Sequence, residues 1–146
     1  MLERLNLIGA VTAQVIFISS IITFSSRMIF KIAPGHWVGT PLLLMVFPLG
    51  YLLIKAAEVN RPILYYIQVG LMLLFIILLF FVDFIFKYDF RQTYSMVVSF
   101  VVLYFAAMGG MIGVASLAGR VWAISSVVLF LIAGVLAFVQ RAVTGY

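Results

Sequence analysis

The sequence predicts an all-α membrane protein: one integral membrane domain over residues 1–146, built as a bundle of five transmembrane helices. Three observations predict it. Hydrophobic residues make up 66% of the chain and charged residues 9%, with a mean hydropathy of +1.30. A water-exposed surface on a domain of this size needs about a quarter of its residues charged. The apolar residues fall in long runs, long enough as helix to cross the ~30 Å hydrocarbon layer of a bilayer. Finally, the runs are apolar on every side and lack the alternation of barrel strands. Backbone in lipid must satisfy its own hydrogen bonds, so such runs are helices.

The first run covers 5–24. Its flank sets Arg4 against Glu3, no small-x-small cleavage pattern precedes Arg27, and further runs follow, so it reads as a retained first helix rather than a leader. The connection SSRMIFKIAPGH (25–36) reads as a partly interfacial turn. Met28, Ile29, Phe30 and Ile32 would face lipid there, and Arg27 and Lys31 the head groups. The second run, 37–54, contains Gly39, Pro41, Pro48 and Gly50. Pro48 removes a backbone donor, which predicts a kinked helix. A re-entrant or interfacial segment, leaving four true spans, is the alternative. The third run, 63–86, is the longest bulky one, and Pro62 suits its first turn. The fourth covers 93–119 without a charge and the fifth covers 121–139. Their junction consists only of Ala118, Gly119 and Arg120. Gly119 can close the fourth helix in a left-handed conformation, so helices 4 and 5 are expected to form a tight hairpin. Trp37, Tyr88, Tyr94 and Trp122 fall at the run ends, where amphipathic rings favour the interface.

The fourth run carries a seam of small residues. Ser95, Ser99, Val102, Ala106, Gly109, Gly113 and Ser116 follow at steps of three and four, which places them on one helix face, and Gly110 widens the strip. A glycine in a helix interior costs about 1 kcal/mol against alanine. The cluster therefore predicts close approach of a neighbouring helix at a GxxxG pair, with Ala106, Gly109, Gly110, Gly113 and Ser116 as the packing residues. Ser126, Ala133 and Ala137 share a face of the last helix and are the candidate partner, within the chain or across a homodimer. The run GGMIG superficially resembles the GGxxG of small dual-topology fluoride channels. That motif belongs near the amino terminus, with an arginine close behind and an asparagine in a following helix. Here it lies in the penultimate run, Arg120 follows well after it and Asn60 is in a loop, so no family is assigned from it.

The net charge of +5 comes from nine basic and four acidic residues. The bases stand singly or in pairs at run ends, where anionic head groups lie, and form no cluster fit for nucleic acid. There is no cysteine, which excludes disulfides, thiolate chemistry and iron–sulfur clusters. Basic residues do not set the orientation. With five spans, Arg4, Lys55, Arg61 and Arg120 share one side, and Arg27, Lys31, Lys87, Arg91 and Arg141 the other. Either a partner fixes the orientation or the chain inserts both ways, which would permit antiparallel homodimers.

Intramembrane polar groups are the remaining signals. Gln14 sits mid-span in the first run and Gln68 inside the third. Both are expected to bond across helices, with a substrate contact as the alternative. Asp83, near the end of the third run, is expected to pair with Lys87 one turn on, or else to mark the mouth of an ion path. Glu58 reads as a solvated ion-pair partner of Lys55 or Arg61. Thr12, Ser19, Ser20 and Thr23 can bond to their own helix. His36, the single histidine, reads as a loop residue. No nucleophile elbow, GxGxxG, P-loop or metal-ligand spacing is present, so no catalytic residue, cofactor or metal is expected. The expectation is an integral protein of the cell membrane that is not an enzyme. It would act as a helix-packing subunit or assembly module, homo-oligomeric or part of a larger membrane complex. The alternative is a small transporter or channel with a path near Gln14, Asp83 and the backbone of 109–113. Convergence of the polar groups on one internal path would favour transport, and their dispersal into separate helix contacts the structural role.

Overall fold

The computed structural model of the protein describes residues 2–30, 40–85 and 93–144, without the side chains of residues 40, 83, 84 and 144. Every regular element among the described residues is helical: α1 (Leu2–Phe30), α2 (Thr40–Leu44), α3 (Val46–Glu58), α4 (Ile63–Phe80), α5 (Tyr94–Ser116) and α6 (Arg120–Thr144), with a π-helical turn Phe81–Ile85 after α4. Five stretches are long and apolar enough to cross a membrane: Leu2–Phe30, Pro41–Glu58, Ile63–Phe80, Tyr94–Ser116 and Arg120–Val143. Five such stretches suggest an integral membrane protein.

The boundaries follow from identifiable residues. α1 continues through Met28 and Phe30, so no turn begins at Ser25. Nothing in SSRMIF stops a helix; the first breaker is Pro34, which lies with Lys31, Ile32, His36, Trp37 and Gly39 outside the described residues. The second stretch breaks at Met45, three residues before Pro48. Pro48 has no N–H for the Leu44 carbonyl and its ring crowds that oxygen, so α2 ends at Leu44. Met45 N–H bonds the Leu42 carbonyl at 3.1 Å, and Leu49 N–H resumes on the Met45 carbonyl at 3.1 Å. Pro62 caps α4 in an extended conformation, one position earlier than expected. Asn60 before it takes φ 52°, and Arg61 N–H reaches back to the Ala56 carbonyl at 3.1 Å. Gly119 has φ 141°, a conformation that a side chain would strain, and Ala123 N–H bonds its carbonyl at 3.1 Å as α6 starts.

α1, α3, α4 and α5 form a ring in which each helix touches the next, and α6 lies in the groove between α1 and α5. The most extensive contact of α6 is with α1. Small residues let α1 sit close: Ala10 and Ala13 are fully buried, and a Cβ on Gly9 would stand 2.9 Å from Val114 Cγ1. The ring interior is filled by Ile16, Phe17, Leu49, Val69, Met72, Ile76, Met108 and Met111. Aromatic edges tie α6 to it: Phe130 meets Phe17 at 6.4 Å between centroids and Phe105 at 5.7 Å. The outside is apolar as well. Phe47, Ile63, Val102, Val121 and Val135 are all exposed, which fits a lipid solvent and not water.

Candidate functional site

The polar groups of the helices go to separate places. Gln14, on α1, donates through Nε2 to Ser126 Oγ at 2.7 Å and to Ser125 Oγ at 3.1 Å, both on α6. Ser126 is fully buried, and the Ser125 hydroxyl donates to the Trp122 carbonyl at 3.1 Å. One amide thus joins α1 to α6. Replacing Gln14 by leucine should lower stability by about 1 kcal/mol, the usual scale for such bonds in lipid. Thermal melting of the detergent-solubilised protein checks this, and an unchanged midpoint would show that the bonds contribute nothing net.

The small face of α6 is used by this contact and its neighbours. Ala133 is buried, and a Cβ on Gly134 would stand 3.2 Å from Phe105 Cε1 of α5. Within the chain this face meets α1 and the Phe105 ring rather than the strip of Ala106, Gly109 and Ser116.

That strip points outward. The inward face of α5 is Tyr104, Ala107, Met108, Met111, Val114 and Ala115, all buried. Ser95, Ser99, Val102, Ala106, Gly109 and Ser116 are exposed. A Cβ on Gly109 would meet nothing within 4 Å. The other two glycines serve an internal contact. A Cβ on Gly110 would stand 3.3 Å from the Gln68 Cα of α4, and one on Gly113 would fall within the Gln68 amide. The Gln68 side chain is therefore folded across Gly113, at the edge of the open strip. Among the described residues that amide has no hydrogen-bond partner. Two hydroxyls along the strip are satisfied locally: Ser99 Oγ donates to the Ser95 carbonyl at 2.9 Å and Ser116 Oγ to the Gly113 carbonyl at 2.6 Å. Thr12 and Thr23 likewise donate to the carbonyls of Ile8 and Ser19, at 2.7 and 2.8 Å.

The backbone of Asp83 lies in the π-helical turn Phe81–Ile85. Its carboxylate, and Lys87, Asp89, Arg91 and His36, lie outside the described residues. Among the described residues no three His, Cys, Asp or Glu side chains come together.

Tyr104 and Arg61 are among the polar groups that the sequence does not single out. Tyr104 is buried between α1 and α4, with Phe24 and Phe75 at 5.9 and 5.6 Å edge-on, and its hydroxyl faces Ser20 without closing a hydrogen bond. A tyrosine inside an apolar run gives no clue to its depth. The second is Arg61. Glu58 pairs with Lys55 at 3.0 Å, and Arg61 instead donates through Nη2 to Asn6 Oδ1 of α1. Its guanidinium lies 4.8 Å from the centroid of the Tyr65 ring. The i,i+4 spacing of Arg61 and Tyr65 was the available sign. No protein-family model, curated protein or solved structure matches this chain.

Proposed function

We propose that the protein is a non-catalytic, polytopic membrane protein that serves as an assembly module. Its five apolar stretches cross the bilayer, with α5 and α6 as a tight hairpin, and the outer face of α5 is the surface through which it assembles. The partner is a second copy or a neighbouring chain of a larger membrane complex. One observation carries the reading: the strip at Gly109, open among the described residues, beside the Gln68 amide that has no hydrogen-bond partner among them. Helices in lipid gain little from apolar contact alone and associate where small residues allow close backbone approach and polar groups find partners. The dispersal of the polar groups supports the same reading over transport. Gln14 is taken up by α6, Gln68 lies against α5, and the buried Tyr104 hydroxyl faces Ser20 rather than either amide.

Gly109→Leu tests it. Gly109 faces open space, so leucine there leaves the protomer fold intact and blocks the outer face. Native mass spectrometry of the protein, gently extracted from its membrane, should show the wild type in a larger assembly and the variant at 16.3 kDa. A variant that keeps the wild-type assembly would overturn the proposal. Gly113→Leu is a poorer probe, because it also displaces Gln68.

A further inference from the structure

Arg61 stands at the end of the bundle where α1, α4 and α6 begin and α3 and α5 end. Its guanidinium is held from two sides, by Asn6 Oδ1 on α1 and by the face of the Tyr65 ring, which is itself buried. Among the described residues it makes no ion pair; the neighbouring carboxylate, Glu58, is engaged by Lys55. A guanidinium carries five N–H donors in a planar fork, and Asn6 accepts from one nitrogen. The other donors remain for a ligand. The amino-terminal end of α4 follows directly and adds partial positive charge.

We infer that Arg61 is the anchor of a phosphate-binding site at this end of the bundle. The ligand class is a phosphate oxyanion, either the phosphodiester of a lipid headgroup or a soluble phosphate. The chemistry follows from the fixed geometry. A planar fork held over an aromatic ring can meet two phosphate oxygens in parallel, which a mobile lysine cannot do. Because Asn6 and Tyr65 already order the side chain, binding does not have to immobilise it. The exposed Arg120 at the same end has neither of these supports among the described residues, and it separates a built site from general attraction of anions to a basic surface. The inference is independent of how the protein assembles.

The test titrates the detergent-solubilised full chain with dioleoylphosphatidylglycerol and follows bound lipid by native mass spectrometry. Arg61→Gln should weaken binding on the order of tenfold, the loss expected when charge-assisted hydrogen bonds are removed. Arg61→Lys, which keeps the charge without the fork, should weaken it by less, and Arg120→Gln should leave it near wild type. Oleate, an anion without phosphate, should bind equally to wild type and Arg61→Gln. Inorganic phosphate separates the sources: displacement of the lipid at millimolar concentration identifies a soluble phosphate site, and no displacement a headgroup site. Binding by folded Arg61→Gln equal to wild type would overturn the inference, as would equal losses from Arg61→Gln and Arg120→Gln. If Arg61→Gln does not fold, Asn6→Ala releases the guanidinium without removing it, and unchanged phosphatidylglycerol binding by that variant would overturn the inference as well.

Discussion

Gly110→Leu should destabilise the protomer by roughly 2 kcal/mol net, while Gly109→Leu, one residue away, should leave it at wild-type stability or up to about 1 kcal/mol above. The difference lies in what each glycine faces. At Gly110 a Cβ would stand 3.3 Å from the Cα of Gln68 and 3.4 Å from its Cβ. The Cα belongs to the α4 backbone and cannot rotate away. Leucine adds three more carbons to that gap, so α4 and α5 must separate along their contact. Overpacking of this kind costs typically 1–3 kcal/mol, and a clash against main chain belongs at the upper end. Replacing a helical glycine returns close to 1 kcal/mol of propensity in both variants. At Gly109 no clash opposes that gain, because nothing lies within 4 Å. Unfolding titrations of the two variants in the same detergent check the contrast. Equal midpoints would mean that α4 and α5 do not meet at Gly110.

The sequence made the element order readable and left the facing of the helices unread, for one physical reason. Breaks come from local chemistry that survives in any solvent. Pro48 dictates the end of α2 at Leu44, and Gly119 dictates the turn into α6. Facing is normally read from the contrast between an apolar and a polar side. In these helices both sides are apolar, the buried one and the exposed one alike. α5 shows the consequence. Its small residues do share a face, and the sequence leaves open whether another helix of the chain or a second copy covers it. The face turned inward is instead the one with Tyr104, Met108 and Met111, whose bulk fills the ring. Size and shape decided the orientation of α5, and a one-dimensional pattern does not show what volume the neighbouring helices leave.

Polar residues were legible in kind but not in address. An amide at Gln14 needs a partner in lipid, and the need is visible in the sequence. That Ser125 and Ser126 meet it depends on α6 folding back beside α1, a contact between residues more than a hundred positions apart. Gln68 shows the same need, and its amide lies on Gly113 at the edge of the strip that the protomer leaves open. By nearness in sequence Glu58 can pair with either Lys55 or Arg61. In the fold Lys55, one turn before Glu58 on the same helix, takes that carboxylate, and the chain reversal at Asn60 turns Arg61 toward α1.

Phe17→Ala is the second large effect, and its size depends on the solvent. Phe17 is fully buried where α1 meets α6, with the Phe130 ring edge-on at 6.4 Å. In a water-soluble core such a truncation costs about 3–5 kcal/mol, part from the forfeited transfer out of water and part from the cavity. For a helix already in lipid the transfer part largely vanishes, because the unfolded side chain also sits among hydrocarbon. The missing dispersion attraction across the cavity is still felt, which leaves roughly 2 kcal/mol. The weakening should appear where α1 meets α6 first, since Gln14 and Phe17 lie one turn apart on the same side of α1. Combining Phe17→Ala with Gln14→Leu should therefore cost other than the sum of the two, as changes within one helix–helix interface do. A strictly additive double variant in an unfolding titration would mean that the amide and the ring hold α6 independently. A cost near 5 kcal/mol for Phe17→Ala alone, the full value of a water-soluble core, would mean that the unfolded reference exposes Phe17 to water, and that α1 leaves the bilayer when the bundle comes apart.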